Sequence, residues 1–268
     1  MLAFLLAHGL VTAAAAIPTC SVVLPPDLVQ GSLVRGRGPV GSKITYLGRQ
    51  LEQTAAGDFV FGIAFDAAKV ASLQIKGKGC SATINFPVTQ RVYATERVDG
   101  VPQNTVTPDP ETAKRIALEA NMIQKARAVD SKLLFWQQPF QWPATGRSSG
   151  VYGSQRILNG LPSSPHLGLD MAAPTGTPVF AALPGKVTLA HAGMVMTGKT
   201  LIIDHGFGIN TVYIHMSEIA VQEGQMLTAG QRIGAIGTTG RSNGPHLHFQ
   251  VQWYQEKLDP ALVLPARK

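Results

Sequence analysis

Cysteine is scarce in this chain of 268 residues: only Cys20 and Cys80 occur. That excludes a disulfide-dense miniprotein, a cysteine zinc finger and an iron–sulfur site. Any metal must be held by histidine and carboxylate. Charge is also sparse, at 15% of residues against 45% apolar, a balance that excludes wholesale disorder. The net charge of +7 has no basic run behind it. There is no interleaved basic and aromatic pattern and no glycine-rich phosphate loop at a strand–helix junction, so nucleic acid is not an expected partner. A diffuse positive surface suits anionic envelope polymers instead. The apolar run at the start of the sequence is too short to span a bilayer comfortably, and a stable transmembrane anchor is not expected.

Residues 1–16 are apolar and then alanine-rich, ending in Ala13-Ala14-Ala15-Ala16. They read as the core of a secretory signal cleaved near Ala16, although no Lys or Arg precedes Arg35. The expected division is 1–19 signal peptide, 20–92 N-terminal β-domain, 93–134 linker with a helix, and 135–268 catalytic domain. Ile17-Pro18-Thr19-Cys20 loosely resembles a lipoprotein cleavage box, so lipid attachment at Cys20 is one reading. A Cys20–Cys80 disulfide and a pair of buried thiols are the others.

Glycine (28) and proline (18) are plentiful, which favours many short strands and turns. Lys43–Leu47, Phe59–Ile63, Ser72–Ile75 and Ala82–Phe86 alternate apolar and polar residues, the pattern of a small antiparallel sandwich. Asp109 can cap a helix with Pro110 at its first position. Ala113, Ile116, Ala120 and Ile123 give an apolar stripe, so one helix is expected over Pro110–Ala128, packed between the two halves. Beyond Phe135, strands are expected at 177–182, 186–191, 199–204, 210–216, 231–236 and 246–252. The whole is a mainly β fold.

All the histidines except His8 lie between 166 and 248. In Gly244-Pro245-His246-Leu247-His248-Phe249, strand alternation puts both imidazoles on one face and Leu247 and Phe249 on the other. In His166-Leu167-Gly168-Leu169-Asp170, Gly168 argues against a helix, and extended residues i and i+4 again share a face. One nitrogen and one carboxylate oxygen from this segment, with one histidine of the pair, make three protein ligands. An open fourth position is the mark of a catalytic zinc site. In Thr211-Val212-Tyr213-Ile214-His215, alternation turns Tyr213 and His215 to one face and Val212 and Ile214 to the core. His191 and His205 read as structural or surface residues, His205 in a turn before Gly206.

His-x-Gly-x-Asp, Tyr-x-His and Gly-Pro-His-Leu-His-Phe, in this order, resemble the lysostaphin-type (LytM-like, β-lytic) zinc metalloendopeptidases that cut peptidoglycan. The segments 172–179 and 234–240 match as well, and the resemblance covers about 145–264. Residues 21–130 are similar to the N-terminal β-domain and linker of some Gram-negative members. The resemblance implies an antiparallel peptidase domain of the duplicated hybrid motif type and one zinc per chain, held by His166, Asp170 and His248. It implies His215 and His246 as the catalytic pair; Tyr213, on the residues alone, reads as a support for the oxyanion, an orienter of His215, a substrate contact or a core residue. It also implies peptidoglycan stem peptides as partners, D-alanyl–diaminopimelate cross-links as the favoured bond, and export to the periplasm or cell envelope. Met216 and Gln250 depart from the usual pattern without removing a ligand. No His-Glu-x-x-His is present, so the histidine pair must replace a glutamate base. Ordinary imidazoles would then make activity fall below about pH 6. Three rival readings are a non-catalytic activator of other wall hydrolases, a non-haem iron oxygenase and a purely structural β-protein.

Overall fold

In a computed structural model, residues 20–267 are described; the expected signal segment lies outside them. Six strands come first: β1 (Leu33–Arg37), β2 (Lys43–Tyr46), β3 (Arg49–Leu51), β4 (Asp58–Gly62), β5 (Val70–Gly77) and β6 (Cys80–Pro87). β1 pairs with β4, and the other four form a sheet in the order β3-β2-β5-β6. The β2–β3 turn is tight: Leu47 and Gly48 have φ of 47° and 79°, a two-residue geometry whose twist matches the strands it joins. Val34, Phe59 and Phe61 from the two-stranded sheet share a core with Ile44, Leu73 and Ile75 from the four-stranded one. Cys20 and Cys80 form a disulfide with Cα atoms 5.4 Å apart. This settles the choice among the readings of the two cysteines, since a lipid thioether on Cys20 would need the same sulfur.

The connecting stretch holds a strand, β7 (Thr95–Val98), and the helix α1 (Pro110–Arg127). Asp109 caps α1, its carboxylate accepting from Thr112 N at 2.9 Å, worth about 1 kcal/mol. Acidic Glu111 in the first turn and basic Lys125 and Arg127 in the last suit the helix dipole. The buried face differs from the expected stripe. Ala113 and Ala120 are exposed, while Ile116, Glu119, Ile123 and Ala126 turn inward. The helix does not lie between the two halves: it packs on the C-terminal sheet, where Ala126 and Ile123 meet Leu189, Ile202, Val212 and Ile214. Buried Glu119 accepts from Val195 N at 2.7 Å and pairs with Arg115, which donates to Gly193 O. The helix thereby pins the 193–195 turn.

The C-terminal half contributes β8 (Arg147–Gly150), β9 (Gln155–Leu158), β10 (Leu161–Ser163), β11 (Leu169–Ala172), β12 (Pro178–Phe180), β13 (Gly185–Met194), β14 (Gly198–Gly206), β15 (Ile209–Ile219), β16 (Met226–Leu227), β17 (Arg232–Ile236), β18 (His246–Trp253) and β19 (Glu256–Leu258). Most join a ten-stranded sheet whose main path is β16-β13-β14-β15-β18-β11-β8. β9 and β10 form a separate hairpin, and β7 adds to β9 in parallel. One face of β18 (Leu247, Phe249, Val251, Trp253) enters the main core, which continues into the N-terminal sheets; Tyr46 and Trp253 have ring centroids 6.0 Å apart. The opposite face carries His246, His248, Gln250 and Gln252.

Because the disulfide spans 60 residues, Cys80→Ser should lower unfolding free energy by about 2–4 kcal/mol. A urea titration of both proteins under oxidising conditions reads the loss. An unchanged midpoint would show that the cross-link constrains nothing.

Candidate functional site

β11 and β18 pair antiparallel with Asp170 opposite His248, and His166 precedes β11 by three positions. The three side chains converge in a buried cluster able to hold a metal ion. Asp170 Oδ1 lies 3.0 Å from His166 Nε2 and 2.7 Å from His248 Nδ1, and the two nitrogens are 2.8 Å apart. Close packing demands glycine nearby. A Cβ on Gly168 would sit 2.5 Å from the His248 ring, and one on Gly150 would strike Asp170 Oδ2.

Ring orientation follows from acceptor chemistry, since a carbonyl oxygen can only accept. His166 Nδ1–H donates to Val151 O at 2.9 Å, leaving Nε2 with its lone pair toward the cluster. His248 presents Nδ1, and its Nε2 faces the Gln250 side-chain amide at 2.9 Å. Burial alone would raise Asp170, but the imidazoles of His248 and His166 outweigh it and hold the carboxyl well below its ordinary range. Burial lowers His248 to about 4 against the pull of Asp170. An ionised carboxylate and neutral imidazoles are the forms a zinc ion takes as ligands. The donor set therefore fits such an ion.

His215 and His246 stand beside the cluster, with ring centroids 4.8 Å apart. His246 Nε2 lies 3.9 Å from Asp170 Oδ1, and its Nδ1–H donates to Gly244 O at 2.9 Å. His215 reaches the same place by an unexpected route. Its φ is +64°, a left-handed conformation that costs about 1–3 kcal/mol in a non-glycine residue. Two loops hold it there: His215 N donates to Thr197 O at 2.9 Å, and Nδ1–H to Thr239 O at 2.7 Å. Burial, then His246 and His248, push His215 down to about 3.

This kink overturns the simple alternation expected for β15. Val212 and Ile214 face α1, on the histidine side of the sheet, whereas Tyr213 enters the main core against Phe249 at 5.2 Å between centroids. Tyr213 is fully buried, and its hydroxyl accepts from Ala182 N at 2.9 Å. It lines neither hollow at the site, so of the roles open to it the core one holds and a substrate contact does not. His205 is no turn residue: it lies within β14, fully buried, bonded to Pro184 O and Thr211 Oγ1, and burial lowers it to about 4. His191 accepts from Gly193 N, a local structural role.

Arg156 was not singled out from the sequence. From β9 it donates to Asp170 Oδ2 at 2.8 Å, fixing the carboxylate from the side away from the histidines, and it approaches Glu96 on β7 at 3.6 Å. An Asn159-Gly160 turn, a strong hairpin signal, marks the strand that carries it. Two hollows flank the cluster, of about 410 Å³ and about 300 Å³, and Arg156, His215 and Arg241 border both. No helix among the described residues is long and apolar enough to cross a membrane.

Comparison with known proteins adds to this geometry. The profile described as Peptidase family M23 matches residues 164–260. Peptidoglycan DD-endopeptidase ShyA of Vibrio cholerae is 43% identical over 88 residues, 33% of this chain and 20% of ShyA. A lipoprotein NlpD/LppB homolog of Pseudomonas aeruginosa is 35% identical over 126 residues, 47% of this chain and 40% of that protein. The chain thus spans well under half the length of these relatives. An M23 peptidase crystal structure from Pseudomonas aeruginosa superposes with a TM-score of 0.68 at 27% identity, over 89% of this chain and 95% of that one. Fold, ordered histidines and profile agree: residues 164–260 of this chain form a domain of peptidase family M23.

Proposed function

We propose that the chain is a zinc metalloendopeptidase that hydrolyses peptide cross-links of bacterial peptidoglycan. One observation carries the reading. His166, His215 and His246 each tie Nδ1–H to a backbone carbonyl, which leaves Nε2 as the available ring nitrogen, and those of His166 and His246 lie 3.0 Å and 3.9 Å from Asp170 Oδ1. In this reading His166, Asp170 and His248 hold the zinc. The ion, when bound, supplies Lewis acidity that polarises the scissile carbonyl and lowers the pKa of water toward about 7. His215 Nε2 accepts the water proton, because burial keeps that imidazole neutral. His246, with its side chain 15% exposed, is the more accessible partner of the pair, and the imidazole that has taken the water proton returns it to the leaving amine. Arg156 fixes the Asp170 oxygen that faces away from the histidines, a supporting bond of the kind that tunes ligands.

The names of ShyA and the NlpD/LppB homolog support a peptidoglycan substrate and an envelope location. The disulfide supports an oxidising compartment, the periplasm or cell surface. Residues 20–92 serve in this reading as an N-terminal β-domain, 93–134 as linker and 135–268 as the catalytic domain.

His248→Ala should lose zinc and hydrolysis together, by metal analysis and mass spectrometry of muropeptides released from purified sacculi. His215→Ala should keep near-stoichiometric zinc yet lose about 10²–10⁴ in turnover. Normal hydrolysis by His215→Ala would refute its role as base. Zinc binding without any muropeptide release by the unaltered protein would favour the non-catalytic activator.

Proton competition gives a third test. Unburied imidazoles would set an acid limb near pH 6. Burial lowers His215 to about 3 and His248 to about 4, so both are neutral at pH 6 and gain protons only as pH falls through these lower values. Hydrolysis should therefore persist at pH 6 and decline as pH is taken from 5 toward 4. A pH–rate profile with half-maximal activity at 6.5 would contradict this.

A further inference from the structure

The smaller hollow, beside His166, His215 and His248, is lined by cations and holds no carboxylate. Arg127 arrives from the last turn of α1, Lys257 from β19, and Arg241 from the loop before β18; Arg156 completes the ring. Only Arg156 has acidic partners. Arg127, Arg241 and Lys257 form no ion pair among the described residues. Among the described residues, Arg127 Nε is buried without any hydrogen-bond partner, and its Nη2 has only a 3.4 Å contact with Gln250 Oε1.

Such an arrangement is costly on its own. Burial lowers Arg127 to about 10. Burial and then Arg127 lower Lys257, and burial and then Arg156 lower Arg241. Desolvated like charges repel one another, and an arriving anion relieves both penalties. The larger hollow differs: there Glu96, Asp99 and Asp170 offset Arg97, Arg147 and the shared Arg156 and Arg241. Positive potential is therefore concentrated on one side of the candidate metal cluster. That side also has an aliphatic wall, Ile123, Val212 and Ile214, which suits peptide side chains better than a bare inorganic ion.

Building on the peptidase reading, we propose that this hollow is a subsite for free carboxylates of an acidic peptide, bound by Arg127, Arg241 and Lys257 next to the scissile bond. Guanidinium–carboxylate pairing is directional and strong when shielded from water. The site thus selects stem peptides with free carboxylates over amidated or glycine-only ones.

The test is calorimetric titration of the full chain with two probes: a stem tetrapeptide with free carboxylates, and the same peptide with its side-chain carboxylates amidated. The acidic form should bind at least tenfold more tightly, by an amount that shrinks as salt is raised. In Arg241→Gln, and separately in Lys257→Gln, that preference should fall about tenfold toward parity. Should Arg127→Gln fail to fold, these two variants and the salt series still decide. Equal binding of both probes by the unaltered protein, no binding of either, or equal weakening of both by the variants would overturn the proposal. A preference for the acidic probe together with no cleavage of cross-linked muropeptides by the zinc-loaded protein would uphold the subsite while refuting the peptidase reading.

Discussion

A buried carboxylate organises this molecule. Asp170 sits in the sheet interior, where a lone charge is expensive, and it is held there by His166 and His248 on one oxygen and Arg156 on the other. Each partner comes from a different part of the chain: the segment before β11, strand β18, and the β9–β10 hairpin. The β11–β18 register must therefore be right for the charge to be tolerated, since a one-residue slip would turn His248 into the core. Specification of the sheet and specification of the site are, at this point, the same constraint.

Regular strands were the legible part of the chain. His246 and His248 share a face because β18 alternates without interruption, and its apolar partners Leu247, Phe249 and Val251 are buried as that pattern requires. The cap of α1 was legible because Asp109, Pro110 and Glu111 act locally. The face of α1 was not. Exposed Ala113 and Ala120 look apolar in sequence, while buried Glu119 is stabilised by Arg115 and a distant backbone N–H that no local pattern reveals. Tyr213 was misplaced for a related reason. Alternation was correctly counted but anchored on His215, whose left-handed backbone is imposed by the carbonyls of Thr197 and Thr239 from two other loops. Arg156 contributes through tertiary aim alone.

The layers of the fold divide the work. One face of the large sheet merges with the N-terminal sheets into a continuous core, with Trp253, Leu258 and Tyr46 at the seam. The other face, freed from core duty, carries polar groups and is only partly roofed by α1. This helix also secures the 193–195 turn through Glu119 and supplies Arg127 to the hollow. It links the rigidity of one site loop to the charge of the adjacent surface.

Two glycines have a consequence for reading related sequences. Gly150 and Gly168 leave only hydrogen where a methyl group would collide with Asp170 or His248. A descendant carrying alanine at either place would retain every donor atom in its alignment yet lack room to assemble them. Lineages that have drifted from chemistry toward scaffolding can thus hide behind an intact motif, and the silent small residues are where that drift would first be written.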